Sequence, residues 1–137
     1  MVSVTSTNNI NNLENLANKI QRNLIGALVE AALNVETNAK MDCPAPLGTL
    51  RGSIRQEKIV EEDVVGFKIG SDLEYAPYVE FGTGALVSVP NDYSDFAMQF
   101  KGQKEVAGMN AQPYLLPNFE MQVELFKQNI EKILNDV

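Results

Sequence analysis

The chain has 137 residues, of which 45% are hydrophobic and 21% are charged, a composition typical of one folded domain and not of a disordered protein. Eleven Lys and Arg residues against 18 Asp and Glu residues give a formal net charge of -7, which argues against tight binding of nucleic acid phosphates. The absence of histidine excludes Ser-His-Asp and Cys-His nucleophile systems and His-ligated metal sites, and the single cysteine excludes an intrachain disulfide and a Cys-rich zinc site.

The amino-terminal part of the chain predicts one long amphipathic helix. Residues 1–11 are rich in Ser, Thr and Asn and are expected to be flexible, and Asn11 with Glu14 has the spacing of a capping box. The helix should end near Lys40, because the Pro-rich segment 42–46 disfavours helical backbone. The apolar residues that recur at spacings of three and four form its buried face: Leu13, Leu16, Ile20, Leu24, Ala27, Ala31 and Val35.

Neither Cys43 nor the amino terminus predicts a reactive or exported protein. Cys43 stands beside Pro44 without any basic imidazole, so we expect it to be a small packed residue and not a nucleophile. The chain has no apolar run long enough to cross a membrane, and its amino end lacks the basic and hydrophobic regions of a signal peptide. These features favour a protein of a reducing cytosol.

The next segment predicts a β-hairpin with arms at Leu50–Val60 and Val64–Ile69, joined by an acidic Glu-Glu-Asp turn. The second arm alternates cleanly between apolar and polar residues, whereas the first alternates poorly, which indicates a β-bulge or a second partly buried face. Arg51 and Arg55 differ by an even number and would point to the same side of a strand. There they could bind Glu80 or a neighbouring subunit, or belong to a solvated strand face.

Residues 75–84 predict a single short helical turn. Pro77 suits a first helical turn, and Gly82 suits a left-handed stop. Glu74 and Glu80 lie near tyrosines and could in principle include a general acid. No nucleophile, base, metal cluster or phosphate loop accompanies them, so we predict a protein without catalytic, cofactor-binding or metal-binding residues.

Residues 85–112 are predicted to form a projecting loop or arm. It contains a strand at Leu86–Val89, a short helix that carries Tyr93, Phe96 and Phe100, and a stretch from Gln103 to Gln112 without apolar periodicity. Many of the aromatic residues lie in the central part of the chain, where they form either the core or an interface.

The carboxyl-terminal residues predict a second amphipathic helix that opens at Pro113 or Pro117 and ends near Asn135. Its apolar face consists of Phe119, Val123, Phe126, Ile130 and Ile133. The whole chain is therefore predicted to be one α+β domain over residues 1–137, with a long amino-terminal helix, a small antiparallel sheet with a long extended loop, and a carboxyl-terminal helix.

Four motifs, taken in their order, resemble a family of tail-component proteins of tailed bacteriophages with siphophage-like virions. The resemblance covers about Ala39 to the end of the chain, and its most specific part is the Tyr-Ala-x-Tyr-Val-Glu-Phe-Gly-Thr segment. Members of that family have a helix, a small sheet and a carboxyl-terminal helix, in agreement with the elements predicted above. The motifs are Ala39-Lys40-Met41-Asp42-Cys43-Pro44, Gly48-Thr49-Leu50-Arg51-Gly52-Ser53-Ile54, Tyr75-Ala76-Pro77-Tyr78-Val79-Glu80-Phe81-Gly82-Thr83 and Gln112-Pro113-Tyr114-Leu115-Leu116-Pro117.

The resemblance implies a structural subunit of the virion, without catalysis or cofactor, in the neck or tail-completion region and assembled in the cytoplasm of the bacterial host. The implied partners are copies of itself in a ring, with a hexamer favoured, and other neck or tail proteins such as a tail terminator or a head-closure protein. Genome DNA would pass through the acidic lumen without specific binding, and no membrane is involved.

An interface and structural motif is expected at Arg51, Tyr75, Tyr78, Glu80, Phe81, Gly82, Thr83 and Pro113. Tyr78, Glu80, Phe81 and Thr83 are expected to position the 85–112 segment, which would pair with a neighbouring subunit or the tail terminator by strand addition. Phe81→Ala should then weaken assembly more than folding.

Other functions stay open at this point. Within the phage particle, the protein could be the tail terminator ring itself, or an assembly factor that does not remain in the virion. From another class, a small acidic regulatory or partner-binding module could mimic nucleic acid. The acidic residues between 57 and 80 cluster around a turn without a duplex-like run, which ranks that module below the structural subunit.

Overall fold

The computed structural model describes residues 6–83, 86–88 and 108–136, which contain four helices and one β-hairpin. The elements in chain order are α1 (Ser6–Asp42), α2 (Gly48–Ser53), β1 (Arg55–Glu61), β2 (Val64–Gly70), α3 (Ala76–Phe81) and α4 (Leu116–Asn135). A long helix, a small antiparallel sheet and a carboxyl-terminal helix therefore follow one another, which confirms the predicted α+β class.

The helices α1 and α4 pack against each other in antiparallel orientation. Near the start of α4, Asn34 Nδ2 donates to Gln122 Oε1 at 3.4 Å, whereas near its end Ile133 lines a cleft with Ile20. α1 has 37 residues and α4 has 20, so at about 1.5 Å per residue α1 is roughly 25 Å longer. The predicted apolar face of α1 is consequently covered only in part, and Leu13 is 65% exposed.

The amino end of α1 differs from its prediction. The helix begins at Ser6 and not at the Asn11 cap, so residues 6–11 of the segment predicted to be flexible are helical, while residues 1–5 lie outside the described part. Asn and Thr have only a small propensity cost in a helix, and extending an existing helix needs no new nucleus. At its other end α1 stops at Asp42, close to the predicted Lys40.

The hairpin is shorter and more regular than predicted. Its register runs without interruption from Arg55 opposite Gly70 to Glu61 opposite Val64, so it contains no bulge. The poor alternation of the predicted first arm arises because its first residues belong to α2. Leu50 and Ile54, four residues apart, are both buried, a spacing that one helical turn brings to the same side.

The core lies where the end of α1, α2, α3 and the start of α4 meet, and it consists of Ala39, Cys43, Leu50, Ile54, Ala76, Val79 and Tyr114. Cys43 is 3% exposed, which confirms the prediction of a packed residue. Burial raises the pKa of its thiol, and the nearby charge of Arg51 lowers it by a smaller amount. The thiol is therefore both inaccessible and protonated at neutral pH.

Candidate functional site

The most specific sequence motif folds into α3 and the turn that ends it. Pro77 lies in the first turn of α3, and Gly82 follows the helix with a positive φ of 80°, as the predicted short turn and its stop require. A Cβ on Gly82 would lie 2.7 Å from the carbonyl oxygen of Met109 and 2.8 Å from that of Leu86. Both the backbone angle and the close approach of two other segments demand glycine here.

Glu80 caps the carboxyl-terminal helix from a distant part of the chain. Its Oε2 accepts the backbone N–H groups of Tyr114 at 2.9 Å and Leu115 at 3.0 Å, and its Oε1 accepts that of Leu116 at 2.8 Å. The N-cap residue of α4, Leu115, provides no side-chain cap of its own. A buried carboxylate at this position satisfies otherwise unpaired donors and interacts favourably with the helix dipole.

Sequence reasoning missed this role of Glu80, for which it considered a general acid and a salt bridge to Arg51 or Arg55. Glu80 binds backbone N–H groups, which nearly every residue has, so the identities of the residues do not reveal these bonds. The signal that could have found it is the absence of Ser, Thr, Asp or Asn immediately before Pro113-Tyr114-Leu115-Leu116-Pro117, because a helix without a local cap requires an acceptor from elsewhere.

The first turn of α4 is also attached to the end of α1. Asn118 Nδ2 donates to Asp42 Oδ2 at 2.8 Å and to the carbonyl oxygen of Tyr114 at 2.8 Å. Tyr114 itself is 2% exposed, and burial, followed by the charge of Glu80, raises the pKa of its phenol far above the ordinary value of 10.0. The 80–83 motif, the 113–117 motif and the end of α1 are thus joined by hydrogen bonds into one junction.

Thr83 and Met109 bind each other twice. The backbone N–H of Met109 donates to Thr83 Oγ1 at 2.8 Å, and the backbone N–H of Thr83 donates to the carbonyl oxygen of Met109 at 3.0 Å. The Thr83 side chain therefore holds the returning end of the segment that the sequence predicts to project.

The outgoing end of that segment is held on the same side of the junction. The backbone N–H of Ser88 donates to the carbonyl oxygen of Phe81 at 2.8 Å, and that of Leu86 donates to the carbonyl oxygen of Thr83 at 3.1 Å. Residues 86–88, where the predicted strand begins, do not form a strand. Most of the predicted arm, residues 89–107 with the expected short helix, lies outside the described residues. Ser88 and Met109 are thus both bound at the end of α3.

The predicted interface residues differ in exposure. Tyr75 and Tyr78 are about two-fifths exposed and Pro113 is exposed, whereas Phe81 is only 4% exposed. A residue buried in the single chain contributes to folding, so Phe81→Ala is expected to destabilise the fold itself. The expectation that this substitution weakens assembly more than folding stays a prediction.

Arg51 stabilises the end of α1 and does not lie on a strand. Its Nε donates to the carbonyl oxygen of Lys40 at 3.0 Å and its Nη2 to that of Cys43 at 3.1 Å, which satisfies acceptors that the helix end leaves open. Arg55 forms an exposed ion pair with Asp72. The predicted common strand face of the two arginines and the salt bridge to Glu80 are therefore wrong, because Arg51 belongs to α2 and only Arg55 belongs to the strand.

In the part of the chain that the structure describes, no three acidic or cysteine side chains lie close enough together to hold a metal ion. No helix in that part has the length and apolarity that a membrane span requires.

The model of one protein family, described as "Bacteriophage HK97-gp10, putative tail-component", matches residues 9–82, more than half of the chain. The matched span includes almost all of α1, then α2, the hairpin and α3, and it ends at Gly82. No curated protein and no solved structure matches the chain.

Proposed function

The chain belongs to the HK97 gp10-like family of bacteriophage tail components, and from this membership we propose that it is a non-enzymatic subunit of a ring at the junction of head and tail. In this role it is required for tail completion or for the joining of heads to tails. The observation that carries the proposal is the family match, which takes in the α3 motif with Glu80 and Gly82.

The chemistry of the junction supports a structural role. Glu80, a buried carboxylate, is engaged by three backbone donors. Cys43 is buried with a raised thiol pKa. Cys43 therefore serves packing, and Glu80 serves helix capping.

The binding of Ser88 and Met109 to the end of α3 supports a role in assembly. A closed ring of identical subunits requires two different surface patches that bind each other, and a segment held at both ends on Phe81 and Thr83 is suited to reach a neighbour. We therefore retain strand addition of this segment to a neighbouring subunit or to the tail terminator as the proposed contact.

The charge of the chain suits a conduit for DNA. Each subunit has a net charge of -7, so a ring of several subunits repels the phosphate backbone and lets the genome pass without binding. The proposed partners are further copies of the chain, in a hexamer, and the adjoining terminator or head-closure proteins. The protein would assemble in the host cytoplasm and remain in the virion.

The proposal is tested by deleting the gene from a phage that encodes this chain and counting particles in the lysate by negative-stain electron microscopy. We expect filled heads and free tails that remain separate, and joining should be restored when the purified chain is added. Addition of a Glu80→Ala variant with a disrupted junction is the matched negative control. Intact, infectious particles from the deletion strain would overturn the proposal.

A further inference from the structure

Among residues 6–83, 86–88 and 108–136, no strand pairs with the outer edge of β2. The sheet has two strands in the described part of the chain, and no backbone hydrogen bond other than those to β1 involves β2. β2 contains one charged residue, Lys68, and no proline, whereas the seven residues of β1 include four charged ones. Since proteins commonly protect free edges with charges, β1 is a protected edge and β2 is an unprotected one.

An apolar groove follows the β2 side of the hairpin. Phe67 and Ile69 of β2 form one wall, and Phe119, Val123 and Phe126 of α4 form the other. Between them the groove is lined by apolar side chains of α1: Leu28, Ala31, Ala32 and Val35. Phe119 is 43% exposed although it belongs to the apolar face of α4. The groove is therefore a surface that the single chain leaves partly uncovered.

The groove exists because the sheet is narrower than the helix pair beneath it. Both strands lie over α1, where Gln56 Nε2 of β1 donates to Glu36 Oε2 at 3.0 Å, and β2 contacts α1 more closely than β1 does. The groove separates β2 from α4. Strands are about 5 Å apart whereas packed helices are about 10 Å apart, so two strands cannot cover both helices. A third strand beside β2 would lie over α4, and every second side chain would point into the groove.

We propose that the free edge of β2 receives a strand from a second copy of this chain. The inference rests on the proposed function, because a ring subunit has such a copy beside it. Alternate side chains of the incoming strand are apolar and cover Phe119, and the backbone of that strand pairs with Val64–Gly70.

Charge favours a second copy as the occupant. Copies that each carry a net charge of -7 repel one another, so they associate most readily through surfaces without acidic residues. The β2 strand and the residues that line the groove include no acidic side chain, and Lys68 is their only charge. This patch therefore lacks the repulsion that most of the acidic surface would impose.

The length of the chain also permits this contact. Residues 89–107 lie between Ser88 and Met109, which are both bound to the α3 junction. A segment of that length, extended outward and back, reaches roughly 30 Å from its anchor. That reach suffices to place a strand on an adjacent subunit.

The test replaces Phe119 with the photoreactive benzophenone analogue of phenylalanine in full-length protein that complements the deletion phage. Leu125 is the matched control, because it lies on the same helix with the same 43% exposure but does not line the groove. After irradiation of assembled particles we expect a covalent dimer of the chain from position 119, at least tenfold more abundant than from position 125. No dimer at position 119, or attachment only to a different virion protein, would overturn the inference.

Strand pairing and the proposed function are measured separately. Amide hydrogen exchange should show that alternate β2 N–H groups gain at least tenfold protection in the assembled state, while β1 gains none. Unchanged exchange in β2 would overturn strand pairing even if the proteins cross-link. If the deletion phage joins heads to tails normally, the proposed ring function is wrong. In that case the cross-linking from position 119 is repeated with the purified chain at high concentration, and a covalent dimer would show that β2 still binds a second copy.

Discussion

The carboxylate of Glu80 accepts the backbone N–H of Tyr114 at 2.9 Å across 34 residues of sequence, and this bond places the start of α4 against α3. The same carboxylate binds the next two backbone N–H groups, so one side chain holds three successive donors at the start of α4. The end of α1, the anchored segment and α4 meet around this bond. The stability of the junction can therefore be tested through Glu80.

Glu80→Gln is expected to lower the free energy of unfolding by about 2–4 kcal/mol, because the amide loses the charge and turns a donor toward backbone donors. The measurement is urea unfolding followed by circular dichroism. Glu74→Gln, an exposed carboxylate six positions earlier, should change stability by no more than about 0.5 kcal/mol. Equal effects of the two substitutions would show that the three backbone bonds of Glu80 contribute little.

Gly82→Ala should destabilise the fold by about 2–4 kcal/mol, since a side chain is strained at a φ of 80° and its Cβ would lie within 3 Å of two carbonyl oxygens. Gly26→Ala is the control, because Gly26 is exposed in α1 with nothing within 4 Å of an added Cβ. That control should raise stability by up to about 1 kcal/mol. The stability of both variants is measured by thermal unfolding. An unchanged melting temperature of Gly82→Ala would contradict the close approach of Met109 and Leu86 to Gly82.

Arg51→Lys is expected to cost about 1–2 kcal/mol, because a lysine cannot reproduce the fork that binds the carbonyl oxygens of Lys40 and Cys43. The exposed Arg55 provides the comparison: Arg55→Lys keeps its charge beside Asp72 and should change stability by less than about 0.5 kcal/mol. Urea unfolding midpoints measure both. If Arg55→Lys had the larger effect, the helix end would not depend on Arg51.

The periodicity of apolar residues, with proline and glycine, is sufficient to predict the elements whose backbone conformation depends on residues nearby in the sequence. The spacing of apolar residues predicted the helices that became α1 and α4, and proline and glycine predicted α3 with its stop at Gly82. These signals work because helix, turn and stop depend on local backbone preferences.

The contacts between distant segments could not be predicted in the same way. Leu50 was assigned to a strand because a six-residue helix is too short to show a period, and burial against the core decides its conformation. Glu80 and Arg51 bind backbone groups, which every residue offers. The extent to which α4 covers α1 depends on where α4 ends, and no pattern within α1 contains that information.

Tyr114 should make the fold sensitive to alkaline pH. Burial raises the pKa of its phenol above the ordinary value of 10.0, so the folded state binds the proton more tightly than the unfolded state. Its contribution to stability is complete below about pH 10 and is lost as the pH rises above that value. Cys43 acts in the same direction above its ordinary value of 9.0.

Tyr114→Phe removes the titratable phenol. The variant should therefore lose less stability than the unmodified chain between about pH 8 and about pH 11, and this loss is measured as the fall of the urea unfolding midpoint. Tyr75→Phe is the control, because Tyr75 is 38% exposed, and its midpoint should fall as steeply as that of the unmodified chain. If the Tyr114→Phe midpoint falls in parallel with both, the phenol of Tyr114 titrates equally in the folded and unfolded states. Burial at the junction would then not disfavour the tyrosinate, and the packing around Glu80 would have to be looser than the 2% exposure of Tyr114 indicates.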